Sequence, residues 1–244
     1  MYKRVLNVGN KVALDAFVQQ ALSKVSAGDQ QSGVVVALEL LDVGAGSSPY
    51  RKAIEKLGMD YKSHDFNLYI PSEEELGLQD SAWPYADHTY VCDILEIPST
   101  VKFDVVLCTE VLEHVPDPAA AFNHIANLVK PGGKLIVTVP FMSLMHQAPY
   151  WFSSGLSPFW FEYHSKIAEI EIIDLGVNGD YIDFLNQEFI RFTGSMLLFK
   201  PISFISSRFN LFKPFRRFLP AGLLECGGFT VTFVGEIKVI HGPA

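Results

Sequence analysis

The chain has 244 residues, 49% of them hydrophobic and 19% charged, with a net charge of −8 and a pI near 5.3. That length fits one domain or a domain with an elaborated end, and the apolar fraction is ample for its core. The acid excess argues against general nucleic-acid binding.

The N-terminal stretch MYKRVLNVGNKVALDAF lacks a continuous apolar run after its basic residues, so no secretory signal is expected. An amphipathic helix is predicted over Ala13 to Val25, followed by a polar turn over Gly28 to Gly33. Val34 to Val43 is apolar and partly β-branched and stops at Gly44, as a strand buried on both faces does. A short helix (Pro49 to Leu57), a second strand (Tyr61 to Asp65), a long loop holding Glu73, Glu74 and Glu75, and a third strand (Tyr90 to Asp93) follow. Phe103 to Thr109 is a fourth strand and Pro118 to Val129 a helix, with "KPGG" at Lys130 to Gly133 read as its terminator. Lys134 to Pro140 is a fifth strand.

Strands alternating with helices at this spacing imply right-handed crossovers and a Rossmann-like, doubly wound α/β sheet. Beyond Pro140 the pattern loosens. Phe141 to Glu162 is rich in aromatics, and Glu169 to Leu175 and Phe229 to Val239 read as further strands. A helix over Tyr181 to Phe192 and a basic, aromatic stretch from Lys200 to Pro220 lie between them. The chain is read as one domain: an N-terminal helical segment (1–33), a ligand-binding core (34–140), and acceptor-side elements with the final strands (141–244). Cys92, Cys108 and Cys226 have no CxxC spacing and read as reduced thiols of a cytoplasmic chain. No His/Cys/Asp cluster has ligand spacing, so no metal site is expected.

"LDVGAGSSPY" (Leu41 to Tyr50) ends the first strand with two glycines that let a ligand approach the backbone. A dinucleotide fingerprint would need a third glycine where Pro49 stands, and the P-loop lysine is also missing. The turn therefore suits a nucleoside without phosphates better than one with them. Asp65, ending the second strand, can accept from ribose hydroxyls. Asp93, ending the third, can accept from an adenine amine, with Ile94 offering an apolar face. Thr109 and Glu110 arrive at the same sheet edge. Strand ends carrying acids, with no lysine or arginine in these turns, favour a cationic ligand.

The set "LDVGAG", "HDFN", "CDILEIP", "FDVVLCTEVLEHVPDP" and "LVKPGGKLIVTVPF" resembles the class I S-adenosylmethionine-dependent methyltransferases, over roughly Leu38 to Pro149. The resemblance implies a seven-stranded sheet whose last strand is antiparallel, supplied here by Phe229 to Val239. It also implies S-adenosylmethionine as cofactor: Asp42 and the Gly44, Ala45 and Gly46 backbone at the methionine moiety, Asp65 at the ribose, Asp93 and Ile94 at the adenine, Thr109 and Glu110 near the sulfonium and amino group. Glu113 and His114 are ambiguous, and packing or capping is the simpler reading of His114.

Methyl transfer to a hydroxyl needs a proton acceptor, and histidine suits it best. In "VPFMSLMHQAPYWF", His146 is the candidate base and Tyr150 the residue that orients the acceptor. The stretch resembles methyltransferases of bacterial surface-glycan clusters, which carry "VPF…H..P.D..R.T". Here the Asp and Arg are missing, which leaves the acceptor open. The expected function is O-methylation of a small or glycan-type acceptor. A catalytically silent, cofactor-binding scaffold is the alternative, and a nicotinamide oxidoreductase is disfavoured by Pro49. The aromatics Tyr150, Trp151, Phe152, Phe159, Trp160, Phe161 and Tyr163 form a candidate acceptor lid. The 200–220 stretch either contacts an anionic membrane or packs its phenylalanines on the sheet with its arginines facing water.

Overall fold

A computed structural model describes residues 3–5, 10–29, 37–69, 85–195, 200–225 and 227–239. Its elements in chain order are β1 (Lys3–Val5), α1 (Asn10–Asp29), β2 (Glu39–Val43), α2 (Arg51–Lys56), β3 (Asp60–Asp65), β4 (Tyr90–Val91), β5 (Phe103–Thr109), α3 (Pro118–Asn127), β6 (Val129–Pro140), α4 (Pro158–Ile167), β7 (Ile170–Asn178), α5 (Tyr181–Ser195), α6 (Lys200–Phe209), α7 (Ala221–Glu225) and β8 (Thr230–Ile237). The strands form one sheet in the order β1-β7-β8-β6-β5-β2-β3-β4. Only β8 runs against its neighbours, pairing antiparallel with both β6 and β7. The expected seven strands are all present, and β1 adds an eighth along β7. The acidic loop at 73–75 and the first residues of the predicted Val34 to Val43 strand lie outside the described residues.

The two faces of the sheet hold separate apolar layers, as a doubly wound sheet requires. Leu40, Val105, Leu107 and Ile136 pack on one side with Val18 and Leu22 of α1 and Ile54 of α2. Leu41, Val106, Cys108 and Val137 pack on the other with Phe122 and Ile125 of α3 and Phe161 of α4. Alternate residues of each strand go to opposite faces. Every residue from Val105 to Cys108 is therefore buried, and this stretch of β5 is continuously apolar.

The "KPGG" segment does not terminate a helix. Helix α3 ends at Asn127, and the segment lies within β6 as an irregularity: Val129 pairs with Phe103, but Lys134 already pairs with Val105. A Cβ on Gly133 would stand 2.7 Å from the Asp104 carbonyl oxygen. The glycine lets the two backbones approach while β6 recovers its register.

Between β7 and β8 lie α5, α6, a 3₁₀ turn over Lys213–Phe218, and α7. The reading in which the 200–220 stretch packs its phenylalanines on the sheet with its arginines facing water needs correction in part. Arg216 does not face water; it meets the buried Asp180 at 2.8 Å and Asp183 at 3.0 Å. Phe212 packs edge-on against Phe189, but Phe209, Phe215 and Phe218 are exposed rather than packed on the sheet. Among the described residues no helix is long and apolar enough to cross a membrane.

The strand order reverses between β2 and β5, which are neighbours in register Val43 to Cys108. Open α/β sheets bind ligands outside the carboxyl ends of their strands at such a point. The glycine turn and the Thr109–Glu110 pair both emerge there.

Candidate active site

Gly44 and Gly46 both adopt left-handed backbone conformations, at φ 68° and 52°. At Gly44 a Cβ would fall 2.3 Å from a methyl of Val111, so the turn packs against the Val111 side chain only as glycine. Asp65 holds the turn in place: one carboxylate oxygen accepts the Gly46 N–H at 2.9 Å and the other accepts the Asn67 N–H at 3.0 Å. An ionised carboxylate has about four acceptor positions, so Asp65 keeps capacity for a ligand. Asp42 stands behind the turn rather than on the cavity wall. It is buried, accepts from the Tyr61 hydroxyl at 2.8 Å, and burial pushes its carboxyl up to about 7 against the pull of that hydrogen bond. Asp93 caps a 3₁₀ turn over Ile94–Glu96 by accepting the Leu95 N–H at 2.9 Å, while Ile94 is buried on the cavity side.

A cavity of about 590 Å³ runs from this turn past Thr109 and Glu110 to Glu113, His114, His146 and Tyr150. Its described lining contains no lysine or arginine. Glu110 sits in the left-handed region at φ 54°, a conformation costing roughly 1–3 kcal/mol for a residue with a side chain. One of its carboxylate oxygens is buried with no hydrogen-bond partner, and burial raises its carboxyl to about 7. Glu113 is fully buried with neither carboxylate oxygen partnered. Burial first, and the nearby Glu110 second, hold its carboxyl well above the usual range. Burial pushes His114 down to about 4, so its imidazole is neutral at ordinary pH.

The "VLEH" turn and the loop after β6 are tied together. The Glu113 carbonyl accepts the N–H groups of Phe152 and Ser153, and His114 Nδ1 donates to the Tyr150 carbonyl. His146 places its ring edge-on to His114, with centroids 4.7 Å apart. The Tyr150 ring meets Phe66 edge-on at 5.0 Å. Linear spacing gave no sign that Glu113, His114 and His146 converge, because His146 arrives from the loop beyond the next strand. The sequence also gave no sign of Asp15, which accepts from the Tyr50 hydroxyl at 3.0 Å on the cavity wall, or of the lining residues Tyr69 and Tyr85.

The aromatic cluster does not act as one lid. Of its seven members only Tyr150 and Phe152 line the cavity. Phe161 belongs to the core, between Phe122 and Phe233. Trp160 packs on Phe122, and Phe159 and Tyr163 are exposed. Helix α4 turns them to three sides, because neighbours in a helix do not share a face.

A family model described as a methyltransferase domain matches residues 11–175. The chain belongs to that family. It is a class I methyltransferase chain, and S-adenosylmethionine is the cofactor of its class. The ubiquinone biosynthesis O-methyltransferase of Xanthomonas oryzae pv. oryzae (strain PXO99A) is 32% identical over 114 residues, 47% of this chain and 46% of that protein. The protein of the same name from Xanthomonas axonopodis pv. citri (strain 306) is 31% identical over 145 residues, 59% of this chain and 57% of that one. The chain thus spans about half the length of the curated relatives it matches. A protein assigned as a sarcosine dimethylglycine methyltransferase from Galdieria sulphuraria has the same fold, with a TM-score of 0.50 and 14% identity over 90% of this chain and 86% of that one.

The methyltransferase site fits its cofactor on two counts. Gly44 lines the cavity in a left-handed conformation that leaves its backbone bare to a ligand, and the unpartnered oxygen of Glu110 offers a buried acceptor to a cationic group. A pH dependence follows from Glu110, which faces Glu113, Tyr50, Cys108 and Thr138. Its carboxyl is raised from 4.5 to about 7, so the folded state holds a proton that the unfolded chain releases. Its contribution to stability is full below its ordinary value and is lost as pH rises through about 7. A cationic ligand selects the ionised form, so affinity changes the opposite way. S-adenosylmethionine should bind up to roughly tenfold more tightly per pH unit between about pH 6 and 7. Calorimetry across that range checks this, and Glu110→Gln should flatten the dependence.

Proposed function

We propose that this methyltransferase modifies an oxygen of a small, hydroxylated acceptor, of the sugar or glycan-intermediate type. Bound S-adenosylmethionine would supply an electrophilic methyl group, for in-line transfer to the acceptor oxygen with the thioether as leaving group. The backbone of Gly44, Ala45 and Gly46 holds the methionine moiety, with Asp42 stiffening the strand end from behind. Asp65 accepts from the ribose hydroxyls with the positions its backbone bonds leave open. Asp93 takes the adenine amine on its second oxygen, and Ile94 packs on the ring. Thr109 and Glu110 face the amino group and sulfonium.

At the far end His146 accepts the acceptor's proton. Its Nδ1 donates to the Leu144 carbonyl at 2.9 Å, which leaves the Nε2 lone pair free. Tyr150 orients the acceptor. The observation that carries this reading is a single cavity joining the glycine turn to His146 and Tyr150. The O-methyltransferase relatives support oxygen as the methylated atom. Incubation with S-adenosylmethionine and a panel of phenols, sugars and glycan precursors, reading S-adenosylhomocysteine, tests it. Product with hydroxylated acceptors alone is expected. Cofactor binding without turnover across the panel would favour the silent scaffold instead.

A further inference from the structure

We propose that Glu113, His114 and His146 bind one divalent transition-metal ion, of the zinc class, at the acceptor end of the cavity. The three side chains come from the turn after β5 and the loop after β6, and their potential ligand atoms all lie within 4.8 Å of one another. His114 Nε2 stands 3.5 Å from a Glu113 carboxylate oxygen. All three residues line the cavity, so an ion can enter and its remaining coordination positions face the acceptor space.

The tautomers are already those a metal needs. His114 Nδ1 donates to the Tyr150 carbonyl and His146 Nδ1 to the Leu144 carbonyl. His114 therefore presents an unprotonated Nε2 beside Glu113, and Nε2 is the unprotonated nitrogen of His146. Bound metals select this arrangement, in which the second ring nitrogen is fixed by a backbone carbonyl. Glu113 supplies the independent sign. Its carboxylate is fully buried, and neither oxygen has a hydrogen-bond partner. A buried carboxylate normally has a partner or a metal. Two imidazoles, one carboxylate and open positions make the donor set that imidazole-loving divalent ions take.

Metal bonds of about 2.1 Å bring tetrahedral donors to roughly 3.4 Å apart. Closing the cluster to that spacing needs a small inward movement, and His146 stands in a partly exposed loop able to make it. With the ion in place the His146 lone pair is engaged. The acceptor hydroxyl would then be acidified by coordination rather than by a free imidazole. Metal binding itself does not depend on the methyltransferase reading.

The test uses the tag-free full chain, stripped with chelator and titrated with cobalt(II), reading visible d–d absorption, and with zinc(II) by calorimetry. One ion per chain is expected. His146→Ala should weaken binding at least tenfold while its far-UV spectrum and melting midpoint stay at parental values. Glu113→Gln should weaken it as well, and because that site is buried, the His146 variant carries the decision. No saturable binding to the parent chain, or unchanged affinity in His146→Ala, overturns the proposal. S-adenosylhomocysteine binding, measured on the same samples without metal, reports separately on the cofactor site.

Discussion

Gly44→Ala is expected to weaken S-adenosylhomocysteine binding by about 100-fold or more, as read by calorimetry. Two effects act together. The residue sits at φ 68°, where a side chain costs roughly 1–2 kcal/mol. The new methyl would also lie 2.3 Å from Val111 Cγ2, far inside the 3.5–4.0 Å or so at which carbon atoms attract. Relief requires the turn to move away from Val111 or Val111 to move away from the turn. Either movement separates the backbone cradle from Glu110, the residue just before Val111. Each tenfold in affinity is about 1.4 kcal/mol, so strain and clash together account for the expected loss. A second substitution, Val111→Ala, removes the clash and leaves the backbone strain. The double variant should therefore recover about tenfold. Parental affinity in Gly44→Ala would mean the cofactor does not use this turn.

The parts of this molecule that were legible in its sequence are those fixed by local chemistry. Strand β5 matched Phe103 to Thr109 residue for residue because burial on both faces leaves a continuous apolar stretch, Val105 to Cys108, at its centre. The glycine turn could be placed because close approach at a strand end needs residues without side chains. Asp65 was locatable from its position after the second strand, but its two backbone hydrogen bonds were not, since they depend on how the turn folds back. "KPGG" misled because proline and paired glycines end helices far more often than they interrupt strands. Only the pairing with Phe103 and Val105 reveals its role. Strand β1, three residues long, is too short for any period to show. The meeting of His114 with His146 could not be read from spacing, because it is set by the parallel pairing of β5 with β6 and by the loop that follows. Helical geometry likewise scattered the aromatic cluster that composition had grouped. Local pattern located the glycine-turn half of the cavity; the half around His146 and Tyr150 is assembled from loops and is a tertiary property.

His146→Ala, assayed in chelator so that no ion engages the cluster, should lower kcat about 100-fold and leave cofactor affinity within about twofold. Positioned proton acceptors contribute about 10²–10⁴ in rate, and the low end suits a residue in a partly exposed loop. His114 cannot replace it. Burial holds that imidazole near 4, too weak a base to take a hydroxyl proton, and its Nδ1 is engaged by the Tyr150 carbonyl. Burial pushes the carboxyl of Glu113 the other way, well above its usual range. Of the two imidazoles that meet there, His146 is the one in exposed surroundings with an Nε2 lone pair, whereas burial makes His114 a weak base. Added imidazole should therefore restore part of the rate in His146→Ala, since the missing side chain leaves room beside His114. Tyr150→Phe should act mainly on KM, because its hydroxyl is proposed to orient the acceptor rather than to move a proton. Unchanged kcat in His146→Ala would remove the histidine from the proton transfer. A fall in kcat that imidazole does not rescue, accompanied by a weaker grip on the cofactor, would recast it as a support for the loop that frames the cavity.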